Sequence, residues 1–316
     1  MIRWRAYTME AILVVLILAL VLSAPGFATL GNLLNVLRTV AMLGIIAFGM
    51  TAVIIGGEID LSVGAGVALA GCIVAWFSGA LTPHVGSVGA VCVGIAAALL
   101  AGAATGFFTG QMRARFRVPT FITTLALFTA LRGVANLITG GFPLTDLPDW
   151  FSFLGAGDLF GVPFPAYVFL AVFALMQALM GFTRFGRAVY AVGGNAEAAR
   201  LSGLPVKRIL VTVFALAGLF AALAGLLLAG RLDSAQPQAA AGYELDAIAA
   251  VVIGGASLSG GLGKISGTFV GALVLVVIRN GLNLLNVTSF WQQVVIGLVI
   301  ALAVGVDVLR RKTRNS

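Results

Sequence analysis

Charge is the scarcest feature of this chain. Only 9% of its 316 residues are charged, against roughly 25% in a soluble globular domain. Hydrophobic residues make up 60% and the mean hydropathy is +1.10, so the length is spent on membrane spans rather than on a water-facing core. Histidine is almost missing. His84 stands alone in a short turn, with no second His and no Cys near it, which leaves no metal-ligand set and no Ser/His/Asp set. The two cysteines, Cys72 and Cys92, both lie in apolar stretches, so no disulfide framework is implied. No Gly-x-x-x-x-Gly-Lys-Ser/Thr phosphate loop occurs, so the chain does not read as an ATPase. No His-Glu-x-x-His appears, and no Arg-rich helix suggests a voltage sensor. A row of carboxylates across several spans, common in ion-driven carriers, is also lacking.

What charge there is lies in patches. In a soluble protein a net charge of +8 would suggest nucleic acid. Here the basic residues gather in short loops and near the ends, where they set orientation, and no nucleic-acid partner is implied. The richest patch is Phe182–Leu210, with Arg184, Arg187, Arg200, Lys207 and Arg208 against the single acid Glu197. Its centre reads as a short helix. Asn195 suits the N-cap, and Glu197 complements the helix dipole in the first turn. Arg200 lies at i,i+3 from Glu197, Gly203 suits C′, and Pro205 prevents continuation. Two turns do not stay helical alone in water. Two readings stay open: a connecting loop whose charges fix topology, or a helix held by the membrane domain or by a partner docked beneath it.

The apolar runs place about ten spans, some interrupted by glycine, in an all-α polytopic membrane protein. They cover about 8–25, 35–56, 62–81, 87–111, 119–139, 164–182, 209–230, 244–259, 265–285 and 290–309. The whole chain, 1–316, reads as one membrane domain. Arg3 and Arg5 precede the first run, and Ala24-Pro25-Gly26 is a poor cleavage site, so a retained first helix is expected. With the N-terminus inside, Arg113–Arg117, the 183–208 loop and the cluster Arg310, Arg311, Lys312 and Arg314 all fall inside. The 140–163 segment, with three Asp and no Lys or Arg, falls outside. Both termini are therefore expected in the cytoplasm, with 140–163 as a periplasmic loop.

Two glycine breaks echo each other. Val53-Ile-Ile-Gly-Gly-Glu-Ile-Asp-Leu-Ser-Val-Gly-Ala-Gly66 resembles Val251-Val-Ile-Gly-Gly-Ala-Ser-Leu-Ser-Gly-Gly-Leu-Gly263, which suggests two related halves. Gly-broken segments at matching places in two halves point to a transport pathway. Glu58, Asp60 and Ser62 make the first break polar. They either line that pathway or serve at the cytoplasmic interface as loop acids and a cap for the third span. Arg132 and Asn136 share one face of the fifth span, and Arg279, Asn280 and Asn283 lie near the outer end of the ninth. Gln292 and Gln293 open the tenth, and Arg38 and Arg231 fall near outer ends. Such groups suit a sugar or polyol. They equally suit snorkelling at an interface or hydrogen bonds between helices.

Three stretches together carry a family resemblance: G-G-x-I-D-L-S-V-G at 56–64, F-G-R-A-V-Y-A-V-G-x-N-x-x-A-A-R-L-S-G-L at 185–204, and I-G-G-A-S-L-S-G-G-x-G at 253–263. The chain resembles the permease subunits of ribose-type (carbohydrate-uptake class 2) ABC importers over about 50–310. Glu58 is a departure from the first motif. The resemblance implies a permease for a monosaccharide such as ribose, working with a second permease chain, identical or a paralogue. It implies cytoplasmic ATPase subunits that carry the ATP and Mg, a periplasmic sugar-binding protein, and a bacterial inner membrane. No cofactor and no catalytic residue are implied for this chain itself. By the same resemblance Asn195, Glu197, Ala198, Ala199, Arg200, Ser202 and Gly203 become the ATPase-coupling positions. A related permease for a branched-chain amino acid, nucleoside or autoinducer, a stand-alone secondary carrier, and a structural membrane scaffold with no transport are the competing readings.

Overall fold

The computed structural model describes residues 8–315, and all of their side chains except 8, 300, 303, 304 and 306–315. Arg3 and Arg5, and the side chains of Arg310, Arg311, Lys312 and Arg314, which support the placement of the two termini, lie outside that set. Among the described residues the regular secondary structure is helical apart from one minimal hairpin. Among the described residues six helices are long and apolar enough to cross a membrane: α2 (Leu30–Ile55), α3 (Val63–Phe116), α4 (Thr120–Thr139), α6 (Phe164–Phe182), α9 (Val206–Leu232) and α11 (Ile265–Leu284). Shorter apolar stretches lie in α1 (Thr8–Ser23) and α12 (Ser289–Asn315). The ten expected apolar runs are all helical, at least in part. The difference in number arises because α3 carries two runs, α10 (Tyr243–Ile253) is short, and the described apolar stretches of α1 and α12 cover only Met9–Ser23 and Ser289–Val299.

α2 is the axis of the bundle. Thr29 caps its start by accepting from the Asn32 N–H, and every residue from Val40 to Ile55 is buried. α6, α9, α10 and α11 pack around it. α3 is a helical hairpin. Pro83 withholds a backbone N–H just before Gly86, whose φ of 74° and ψ of 162° only glycine adopts readily. The two arms fold back so that Gly94 lies against Val74. Both arms grip α9. Gly102, Gly106 and Gly110, one per turn, rest on Gly218, Phe214 and Val211 of α9, while Gly71 of the first arm meets Gly225 and Ala229. Small residues at i,i+4 bring backbones together where lipid provides no hydrophobic drive for association.

The 140–163 segment is more ordered than a loop. It holds α5 (Ser152–Ala156) and a hairpin pairing Asp158–Leu159 with Val162–Pro163. Phe160 and Gly161, both at positive φ, form its turn. Asp158 accepts from Arg38 at 2.6 Å, and Leu144 bridges to Ala235. The charged stretch after α6 also holds a helix that its sequence did not announce, α7 (Arg184–Gly194), ahead of α8 (Ala196–Leu201). α7 buries Gly186, Val189 and Val192 at i,i+3 spacing.

A methyl group at Gly106 would collide with the Phe214 carbonyl, whereas one at Gly133, on α4, meets nothing within 4 Å. Gly106→Ala should lower stability by about 1–3 kcal/mol through overpacking. Gly133→Ala should raise it by about 0.5–1 kcal/mol through helix propensity. Thermal unfolding of the detergent-purified variants would check both signs.

Candidate functional site

α8 has the capping its sequence implies. The Asn195 side chain accepts from the Ala198 N–H at 2.9 Å. At the other end the Gly203 N–H bonds to the Arg200 carbonyl and the Leu204 N–H to the Ala199 carbonyl, with Gly203 at φ 82°. This Schellman closure satisfies carbonyls that so short a helix would otherwise leave open. The Ser202 hydroxyl returns to the Ala198 carbonyl at 2.9 Å. Arg200 grips Glu197 with two bonds, at 3.0 and 2.6 Å. Those bonds first, and the charges of Arg200 and Arg117 after them, hold the Glu197 carboxyl below the usual carboxylate range. The pairing is thus complete at neutral pH and is lost as pH falls through that lowered value. Both side chains are largely exposed, so the pair adds little to stability. Ala199 alone of the helix is buried.

Beneath α7 and α8 three backbone segments meet. The Gly261 N–H donates to the Ile55 carbonyl at 2.8 Å. Gly193 lies in the same contact, and a methyl group there would collide with the Ile55 carbonyl. Gly260 sits against the Gly193 carbonyl and the backbone of Gly57, and Gly261 against Gly194. The end of α2, the end of α7 and the 254–264 connection are therefore joined through glycine. A cavity of about 340 Å³ opens beside this junction, lined in part by Glu58, Arg113, Asn195 and Lys207.

The two glycine breaks leave their helices in the same way. Gly56 caps α2 at φ −68°, ψ −4°, and Gly254 caps α10 at φ −65°, ψ −1°. Gly57 and Gly255 follow at φ 81° and 87°. The three closing bonds also correspond: Gly56 to Ala52, Gly57 to Ile54 and Glu58 to Val53 match Gly254 to Ala250, Gly255 to Val252 and Ala256 to Val251. The repeated V-x-I-G-G thus encodes one conformation twice.

The polar residues of the first break bond locally. Glu58 accepts from Arg113 at 2.5 Å and from Thr120 at 2.7 Å, which ties the break to the second arm of α3 and to α4. Asp60 is buried and takes both the N–H and the hydroxyl of Ser62, at 2.8 and 2.6 Å. Along α9, Gly56 stands level with Leu210, and Gly66 stands level with Ala221. The non-helical segment therefore climbs ~10 Å along the bundle before α3 begins.

The other sequence-selected residues lie elsewhere. Arg132 donates to the carbonyls of Pro237 and Ala239 at 2.6 and 2.8 Å, in the non-helical 233–242 segment ahead of α10. Asn136 bonds back to Arg132 on its own helix. Asn280 exchanges amide bonds with Asn32 at 2.7 and 3.0 Å. Asn283 accepts from Gln292 at 2.7 Å. The seven pathway candidates thus fall on the first break, on α4 and on α11. Sequence reasoning passed over Glu244 and Asp246, two buried carboxylates at the start of α10. Asp246 pairs with Arg279 at 2.9 Å. Two acids within the first turn of a short apolar segment were the signal available for finding them.

A helical bundle of apolar spans, broken twice in the same way and carrying an exposed capped helix over the break, is the build of a multi-pass transport permease. The family described as branched-chain amino acid transport system / permease component matches residues 32–304, and the chain belongs to that family. It is 46% identical over 311 residues to the ribose import permease protein RbsC of Escherichia coli (strain K12), covering 96% of this chain and 95% of that one. To RbsC of Bacillus subtilis (strain 168) it is 46% identical over 297 residues, covering 93% and 90%. To the L-arabinose transport system permease protein AraH of Escherichia coli (strain K12) it is 38% identical over 313 residues, covering 99% and 93%. No solved structure matches the chain.

Gly193→Ala should break the junction, since the added methyl group meets backbone on two sides, whereas Gly194→Ala has open space. Limited proteolysis between α7 and α9 should therefore speed up in the first variant and stay at the wild-type rate in the second.

Proposed function

We propose that this chain is the membrane permease of an ATP-driven importer for a ribose-type sugar, in the inner membrane of a bacterium. The 46% identity to ribose import permeases over nearly the whole chain carries the reading. Although the family description names branched-chain amino acids, the similar curated relatives named above import ribose and arabinose. The chain forms one membrane domain of ten spans. These are α1, α2, the two arms of α3, α4, α6, α9, α10, α11 and α12, in two related halves with both termini in the cytoplasm. A second permease chain, identical or a paralogue, completes the pathway. Cytoplasmic ATPase subunits hold the ATP and Mg, and a periplasmic binding protein delivers the sugar opposite α8.

In this reading α8 docks in the ATPase. Asn195, Glu197, Ala198, Ala199, Arg200, Ser202 and Gly203 build the docking helix, and Gly193 passes its displacement to the ends of α2 and of the 254–264 connection. The change between outward and inward access is then a rigid-body shift driven by the partner's closure. Glu58, held by Arg113 and Thr120, moves with that shift. Selectivity resides mainly in the binding protein, which suits the scarcity of free polar side chains at depth.

Reconstitution with the partner ATPase and binding protein tests this. Labelled pentose uptake into liposomes should require ATP and the binding protein. Glu197→Ala/Arg200→Ala should lower coupled uptake by about tenfold in a complex that still purifies intact. Uptake that persists without the ATPase and collapses with the ion gradient would make the chain a secondary carrier.

A further inference from the structure

The polar groups at the α8 end bond mainly to one another. The opposite half of the bundle is different. A groove of about 560 Å³ opens between the start of α10, the end of α11 and the start of α12. That volume lies within the roughly 300–1,000 Å³ usual for small-molecule sites. Asp246, Arg279, Ser289, Gln292 and Gln293 line it.

These groups have bonding capacity left. The two Asp246 oxygens each take one Arg279 nitrogen, at 3.1 and 2.9 Å, and an ionised carboxylate accepts about four bonds. Gln292 spends its amide nitrogen on Asn283 and Val287, at 2.7 and 2.8 Å, and keeps its carbonyl oxygen. The Ser289 hydroxyl and the Gln293 amide have no hydrogen-bond partner among the described residues. Leu245 and Ile296 supply an apolar wall to the same groove. A half-buried ion pair with spare acceptors, two exposed groups that can both donate and accept, and an aliphatic wall suit a small polyhydroxylated ring. Its hydroxyls both donate and accept, and its C–H face is apolar.

We infer that this groove is a way-station for the transported pentose on the side where the binding protein delivers it. Asp246 and Gln292 accept from its hydroxyls, and Gln293 and Ser289 bond to the remainder. Arg279 holds the Asp246 carboxylate in position and keeps the pair neutral overall, so the groove favours an uncharged polyol over an amino acid or an anion. This rests on the sugar-importer reading above.

Gln293→Leu and Ser289→Ala test it, because neither side chain is tied into the fold. In the reconstituted complex each should slow labelled ribose uptake by about fivefold, the worth of one hydrogen bond. Basal ATPase activity and the binding-protein concentration for half-maximal uptake should stay at wild-type values. A second measurement does not need turnover. Gln293→Cys in a Cys92→Ser background should react with a maleimide, and saturating ribose should slow that labelling while an equal concentration of leucine does not. Wild-type uptake in both variants, or labelling indifferent to ribose, overturns the assignment. Protection by added lipid alone gives the groove to a headgroup and also overturns it. If wild type moves no pentose, the importer reading fails, and the labelling result alone decides the groove.

Discussion

Backbone polar groups set the terms for this fold. In hydrocarbon no water is present to bond an open N–H or carbonyl, so each must be closed within a helix or by a protein partner. The chain leaves the helix at two places inside its bundle and at the 233–242 approach to α10. Each departure has its own closure. At Gly56 and Gly254 the helix ends turn back on themselves with the same three bonds. At 60–62 an aspartate takes the N–H and hydroxyl of the serine that follows. At 237–239 a guanidinium from α4 takes two carbonyls. Arg132 thus closes two carbonyls that no helical turn is there to close.

The membrane spans were legible because their apolar runs are long and the bundle's helix ends carry ordinary signals. Pro119 and Gly140 bracket α4, and Asn195 and Gly203 bracket α8, as their chemistry dictates. The repeat at 53–57 and 251–255 was readable too, since the same residues impose the same cap. α7 was not, because Arg184 and Arg187 mask a buried face made only of Gly186, Val189 and Val192. The glycine junction escaped for a deeper reason. Nothing in Gly57, Gly193, Gly260 or Gly261 says which backbone each will touch, and only the packed bundle brings them together.

Polar side chains near the ends of the spans also divided once packed. Asn280 found Asn32, Asn283 found Gln292, and Arg231 found Asn35 and Thr39. These are bonds between helices or between the end of one and the start of the next, of the kind that replaces hydrophobic drive in lipid. The spacing of such residues along the sequence could not separate them from substrate ligands, because both uses need the same donors and acceptors.

The junction beneath α8 has one more consequence. Where side chains meet, a small push is taken up by a change of rotamer, and little of it travels further. Gly193, Gly260 and Gly261 present bare main chain to main chain, with an N–H of one segment locked on a carbonyl of another. No rotatable group lies between them to yield. A push of α7 toward α2 therefore meets main chain directly, with no side chain between them.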